Sequence, residues 1–309
     1  MAREVIELLA IRPGGYYVDA TAGAGGHASL IAERLEGRGH LLALDQDPRA
    51  VAMSTERLRE YPETRVLRGN YRELGRWLDM VGWTGIDGLL IDAGVSSMQL
   101  DTPERGFSLQ TAGPLDMRMD PEQGRSARQW LNDASLETLE QVLRNYGDVR
   151  PARRIARLIL EYRDRGILET TSDLAQAVRE ALPFVTSGTP DEIRQVFQAI
   201  RIAVNDELNA LQDGLETAVN RLNPGGRIVV IAFHSGEDRI IKQVFQKYTR
   251  AVVERYPDGR TRRMRPALLR ELTGTLLRPS PEEITVNPRS ASARIRAAEK
   301  CPRQEEAPI

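Results

Sequence analysis

Between Tyr16 and Asp92 the sequence repeats one module, a short apolar run followed by an amphipathic stretch long enough for a helix. The runs read YYVDA, HLLALD, TRVLRG and IDGLLID. Strands separated by helix-length connectors cannot pair as tight hairpins. They must cross over, which predicts a parallel sheet with helices packed on its faces. The signal returns as GGRIVVIAF at Gly225–Phe233, after a helical stretch from Glu207 to Leu222 that stops at Asn223-Pro224-Gly225-Gly226. A last pair of strands is expected near Leu272–Arg278 and Ala291–Ala298, punctuated by Pro279, Pro281 and Pro288.

From about Asp101 to Asn205 the strand rhythm ceases and helical spacing takes over, clearest in Arg153–Ile159 and Leu174–Leu182. The expected organisation is an α/β, Rossmann-like domain in two parts, residues 1–100 and 206–300, interrupted by an inserted helical domain at 101–205. Residues 301–309 are expected to form a disordered tail.

The glycine-rich segment after the first run, Asp19-Ala-Thr-Ala-Gly23-Ala-Gly25-Gly26-His27, permits a tight turn and lets a ligand approach the backbone at a helix N-terminus. Gly23, Gly25 and Ala28 also fit a dinucleotide fingerprint, with Asp45 at a ribose-compatible distance, so a nicotinamide enzyme is an alternative. Asp19 tips the balance. An acid at the strand end repels a pyrophosphate but suits the ammonium or sulfonium side of S-adenosyl-L-methionine, although it could instead cap its own turn. Asp45 ends the second run, where it can accept both ribose hydroxyls, while Asp47 before Pro48 reads as a helix cap. Tyr71 suits either adenine or the core.

The fourth run delivers Asp92-Ala-Gly94-Val-Ser96-Ser97-Met-Gln99 beside the switch point where open α/β sheets place their reactions. The fifth delivers Phe233-His234-Ser235-Gly-Glu237-Asp238. Here Ser235 with Asp238 resembles a capping box, and His234 is expected to pack in the turn rather than line a pocket.

Charge limits the partners. With 43 basic and 44 acidic residues the net charge is -1, so a nucleic-acid site must be a local patch. Only Lys242, Lys247 and Lys300 are lysines. Guanidinium groups suit phosphate contacts and base stacking, though a G+C-rich genome gives the same bias. Arg250–Arg270 is locally basic, with seven arginines against Glu254 and Asp258. The single Cys301 and the spacing of His27, His40 and His234 point to no metal site and no disulfide framework. No segment reads as a signal peptide or membrane span, so a cytoplasmic location is expected.

Taken together, DATAGAGGH (19–27), LDQDP (44–48), DAGVSSMQLD (92–101), ERGFS (104–108), PLDMRMD (114–120), FQAIRIAVNDEL (197–208), AFHSGEDR (232–239) and NPRSASARIRAAEK (287–300) resemble the bacterial RsmH (MraW) family over almost the whole chain. The resemblance implies a class I S-adenosyl-L-methionine-dependent methyltransferase that methylates N4 of a cytidine at the decoding centre of 16S ribosomal RNA. The partner would be that RNA within the 30S subunit, and a homodimer is compatible with the sequence. Cofactor contacts carry over to Gly25, Gly26, His27, Asp45, Tyr71, Asp92 and Gln99, beside Asp19 from the reading above. The family's usual His-Pro-Ala-Thr-Arg is Pro190-Asp-Glu-Ile-Arg194 here, and Ala93 and Gly236 stand where leucine is usual. Its opening His-x-Pro-Val segment is absent before Ala2, as an initiator placed too far downstream would leave it.

An exocyclic cytosine amine is a poor nucleophile because its lone pair is delocalised, so catalysis requires acceptors for its protons. Asp92, Ser96 and Ser97 are the expected catalytic residues, with loop carbonyls as further acceptors. Arg150, Arg153, Arg154 and Arg157 of the insertion are candidates to hold phosphates, against the plainer reading of a solvated helix face.

Overall fold

A computed structural model describes residues 1–182, 191–255, 261–274 and 276–302. The strands among them are β1 (Tyr16–Asp19), β2 (His40–Asp45), β3 (Thr64–Arg68), β4 (Ile86–Asp92), β5 (Leu222–Ala232), β6 (Val252–Arg255), β7 (Thr261–Arg265), β8 (Leu269–Glu271) and β9 (Arg294–Lys300). Seven of them form one sheet in the order β3-β2-β1-β4-β5-β9-β8. The pairs from β3 through β5 are parallel, whereas β9 runs antiparallel to both β5 and β8. This is the α/β, Rossmann-like sheet that the alternating runs predict. Its order reverses direction between β1 and β4.

The chain divides into two compact units, Met1–Gly94 with Leu208–Ile309, and Val95–Glu207. In the first, alternate strand residues face opposite sides and build two cores. Tyr17, Leu41, Leu90, Val229 and Ile295 pack with Val5, Leu9, Ile31, Leu35 and Leu58 from helices on one face. Val18, Leu42, Leu89, Ile91 and Val230 pack with Leu74, Leu78, Leu215, Ile241 and Phe245 from helices on the other. Strands buried on both faces read as continuous apolar runs, which is why they were legible.

The second unit has its own core, including Leu143, Ile155, Ile159, Val178, Val196 and Ile200, all buried. They come from helices Leu136–Gly147, Ala152–Asp164, Thr171–Ala181 and Asp191–Asn205. The segment 114–120 is pinned by polar side chains. Asn205 accepts from the Met119 amide at 2.7 Å and donates to the Met117 carbonyl at 2.8 Å. Buried Arg105 donates to the carbonyls of Arg118 and Met119 at 3.0 and 2.8 Å.

Two sequence expectations are corrected. The strand placed at Leu272–Arg278 lies earlier, at Leu269–Glu271, with only an isolated bridge from Leu277 to Ile295. Its partner begins at Arg294, because Pro288–Ser292 form a 3-10 turn. Within the arginine-rich stretch, β6 and β7 pair antiparallel, an element that the run of charge concealed. At the C-terminus the Cys301 amide donates to the Leu268 carbonyl at 2.9 Å, so order extends past the expected start of the tail. Residues 303–309 lie outside the described residues.

The central strands approach so closely that one position excludes a side chain. Gly88 of β4 is the register partner of Tyr17, and a Cβ there would lie 2.6 Å from the tyrosine ring. That ring is 1% exposed and its hydroxyl accepts from the Arg12 amide at 2.8 Å, so it has nowhere to retreat. Gly88→Ala is therefore expected to cost about 1–3 kcal/mol of stability, the usual range for overpacking. Urea denaturation measures it, and an unchanged midpoint would show the contact to be soft.

Candidate functional site

Parallel crossovers bring the carboxyl ends of β1, β2 and β4 to one edge of the sheet, and each of these strands ends in an aspartate. Just beyond the strands, backbone amides lose their ladder partners and side chains take them over. Asp45 Oδ2 accepts from the Gly23 amide at 2.8 Å, and its Oδ1 accepts from the Asp47 amide at 2.9 Å. The carboxylate that ends β2 thus holds the glycine loop after β1. Thr21 of that loop accepts from the Asp92 amide at 2.7 Å, tying the loop to β4 as well. Asp47 caps helix Pro48–Leu58, as its place before proline implied.

Asp19 caps its own turn, one of the two readings that its sequence position left open. Its Oδ1 accepts from the Thr21 amide at 3.1 Å, capping the turn, while Oδ2 is buried without a hydrogen-bond partner. Asp92 presents a second buried, unpartnered oxygen, Oδ1, although 32% of its side chain is exposed. Burial pushes Asp19 up to about 7, with the Asp45 charge adding to the effect and the Thr21 amide opposing it. Burial likewise pushes Asp92 up to about 7, aided by the charges of Asp19 and Glu237. Asp45 is raised by burial and held back by the amides it accepts. His27, in the first turn of helix Gly26–Leu35, stands with Nδ1 3.8 Å from Asp92 Oδ2. Burial lowers its pKa to about 4, so it is neutral at physiological pH and leaves the acids uncompensated.

The glycine loop borders open space at Gly26. Gly25 has φ 79° and caps the helix with no side-chain hydrogen bond, and a Cβ on Gly26 would meet nothing within 4 Å. One rim is built by Gln46, whose side chain accepts from Asn70 at 3.0 Å, linking the loops after β2 and β3. Tyr71 is half-buried against the sheet core, with its ring close to Gly214.

After β5 the capping frame differs from the sequence expectation. The box is His234 with Glu237, one residue earlier than Ser235 with Asp238. His234 Nδ1 accepts from the Gly236 and Glu237 amides, and Asp238 instead pairs with Arg296 at 2.7 Å. Glu237, only 2% exposed, was missed as a site residue; its position three after the strand-end histidine was the available signal.

Ser96, Ser97 and Gln99 belong to the other compact unit. There Ser96 and Gln99 form a reciprocal cap: Ser96 Oγ accepts from the Gln99 amide at 3.2 Å and Gln99 Oε1 from the Ser96 amide at 3.0 Å. Ser97 is exposed. Of the four arginines, all exposed, Arg153 is paired with Glu140 at 2.9 Å, whereas Arg150, Arg154 and Arg157 make no ion pair among the described residues.

A family model described as the MraW methylase family matches residues 1–301. The chain is 47% identical over 302 residues to the ribosomal RNA small subunit methyltransferase H of Methylococcus capsulatus, spanning 97% of this chain and 99% of that relative. It is 44% identical to the protein of the same name from Geobacter sulfurreducens (97% of each chain). For that of Thioalkalivibrio sulfidiphilus the identity is 46%, over 97% of this chain and 96% of the relative.

The site's acids set a pH dependence whose sign is fixed. An acid with a folded pKa above its unfolded value binds more protons in the native state between the two, so stability falls as pH rises through that window. For Asp19 the window runs from the ordinary aspartate value of 3.8 to about 7. Unliganded protein is expected to lose stability, on the order of a few kcal/mol, across it. Asp19→Asn, which keeps the turn acceptor and removes the buried charge, is expected to be more stable than wild type above the window. Denaturation midpoints with a flat pH profile would contradict this.

Proposed function

The chain belongs to the MraW methylase family, and on that premise we propose that it transfers a methyl group from S-adenosyl-L-methionine to small-subunit ribosomal RNA, at the exocyclic N4 of a cytidine in the decoding centre of 16S RNA. The observation that carries this reading is the pair of buried, unpartnered carboxylate oxygens, Asp19 Oδ2 and Asp92 Oδ1, at the mouth of an open glycine loop. Buried acceptors without donors are costly, and a cationic ligand removes that cost. A pyrophosphate would add to it, which disfavours the nicotinamide alternative.

S-adenosyl-L-methionine supplies an electrophilic methyl on a sulfonium centre. Asp19 would hold its ammonium, and Asp45, oriented by the Gly23 and Asp47 amides, would accept from the ribose hydroxyls with the remaining lone pair on each oxygen. Gly26 leaves room for close approach, Tyr71 and the Gln46–Asn70 rim would flank the base, and neutral His27 contributes no competing positive charge. Asp92 would take the proton that the amine sheds as its nitrogen–carbon bond forms. A group that binds its proton near neutrality suits that work better than an ordinary carboxylate. Ser96, engaged as a helix cap, is a weaker candidate for the same role.

The helical unit is the proposed RNA-holding part, with Arg150, Arg154 and Arg157 on phosphates. We place the protein in the cytoplasm, acting on the 30S subunit; among the described residues no helix is long and apolar enough to cross a membrane.

The decisive experiment maps N4-methylated cytidines in 16S RNA from cells with and without the protein. One cytidine is expected to lose its methyl group in its absence, and an unchanged map would overturn the reading. Gly26→Val, pointing into empty space, is expected to fold normally and to weaken S-adenosylhomocysteine binding at least tenfold by calorimetry. Wild-type affinity would remove the glycine loop from the ligand site.

Double charge reversal at Arg154 and Arg157 is expected to weaken RNA binding and to lower its salt slope by roughly two, one per lost phosphate contact. S-adenosylhomocysteine affinity should be retained. Filter binding at several salt concentrations reads this, and an unaltered slope would leave both arginines as a solvated face.

A further inference from the structure

Helix Ser235–Thr249 starts on an unusual cap. A helix N-terminus needs only an exposed serine, threonine or aspartate, yet here the box is made by two ionisable side chains, His234 and Glu237, 9% and 2% exposed. Glu237 Oε2 accepts from the Phe233 amide at 2.7 Å and the His234 amide at 3.2 Å. Its Oε1 stands 3.2 Å from His234 Nε2. Since Nδ1 of that ring accepts two backbone amides, the ring proton lies on Nε2, which makes no hydrogen bond. Oε2 thus faces two backbone donors, the environment of an ionised carboxylate.

This fixed charge lies against the loop after β4. Glu237 Oε1 is 3.7 Å from the point that a Cβ on Gly94, two residues beyond Asp92, would occupy, and Gly94 has φ 90°, a conformation that favours glycine. The groups acting on Asp92 from each packed element are Asp19 from β1, neutral His27 from helix Gly26–Leu35, Glu237 from helix Ser235–Thr249, and the N-terminal ammonium, itself paired with Glu283 at 2.7 Å. Two of these are negative, and they differ in kind. Asp19 offers an open oxygen that a cationic ligand neutralises on binding. Glu237 is engaged by protein donors and keeps its charge when the ligand is bound.

We propose that Glu237, held by the Phe233 and His234 amides, is a positioning residue for methyl transfer: its buried charge under the β4 loop keeps Asp92 a competent proton acceptor after the cofactor has neutralised Asp19. This rests on the methyl-transfer reading above. A charge that served only to cap the helix would affect stability and not the proton affinity of a residue on another strand.

The test is single-turnover methyl transfer at saturating S-adenosyl-L-methionine onto unmodified small subunits, followed across the neutral pH range. Glu237→Gln retains an amide-facing oxygen and loses the charge. Its rate profile is expected to shift its midpoint to lower pH by roughly one unit, with a lower plateau because the acceptor has become a weaker base. The KM for S-adenosyl-L-methionine should change less than twofold. A midpoint superimposed on wild type overturns the inference. Independently of that variant, the carboxyl carbon of Asp92 in wild-type protein bound to S-adenosylhomocysteine, assigned by its loss in Asp92→Asn, is expected to titrate above the ordinary carboxylate range. A titration inside that range also overturns it. Wild-type protein that transfers no methyl group would overturn the reading on which the inference rests. An active wild type with an unshifted Glu237→Gln profile defeats this inference alone.

Discussion

Burying several carboxylates at one sheet edge is the constraint around which the first unit is arranged. Because β1, β2 and β4 run parallel, their ends converge, and the amides just past them need acceptors that the ladder no longer supplies. Aspartates at the strand ends meet that need locally: Asp19 serves Thr21, and Asp45 serves Gly23 and Asp47. The same solution concentrates negative charge where water is largely excluded, which raises the proton affinity of each acid. Loop geometry and affinity for a positive ligand therefore have one cause. Truncating Asp19 or Asp45 removes a turn's acceptor as well as a charge.

Much of this was legible because the determinants are local. A buried parallel strand announces itself as an apolar run, and the glycine loop and Asp45 sit at fixed offsets from strand ends, so the fold and the meeting of that loop with the strand-end acids followed from the sequence. The errors have physical reasons too. The hairpin of β6 and β7 lies in a stretch dense with arginine, where apolar alternation is absent and strand pairing leaves no pattern to read. β8 was displaced because Leu277, apolar and just ahead of Pro279 and Pro281, makes only an isolated bridge to Ile295. The cap after β5 was read one residue late, because serine is the commoner capping residue and a buried histidine does the work instead. Glu237 was not singled out because its nearness to the β4 loop is tertiary and local spacing does not reveal it.

Several residues that carry the family resemblance have structural duties. Arg105 and Asn205 hold the backbone of segment 117–119, and Ser96 and Gln99 cap one short helix reciprocally. A motif can therefore be specific to a family without each member touching a ligand. The arginines divide similarly. Arg153 is held by Glu140, which Arg144 also contacts at 2.8 Å, so its charge is locally balanced. Arg154 and Arg157, on the same helix, are available to an external anion. In a chain with a net charge of -1, such local imbalance is where an RNA contact can arise.

His27 shows why the positive charge must come from outside. A protonated imidazole 3.8 Å from Asp92 would pair with it, pull its pKa down and remove the incentive to bind a cation. Burial prevents this by holding His27 to about 4, far below the pH at which the acids change state. Over the neutral range the ring is thus an uncharged wall, and the acids respond to protons or to the ligand alone. An exposed histidine at this position would titrate in the same window as Asp19 and Asp92 and compensate them in part. Keeping the histidine neutral leaves Asp19 Oδ2 and Asp92 Oδ1 unsatisfied until a cation arrives, which couples ligand binding to the ionisation of the group proposed to accept the amine's proton.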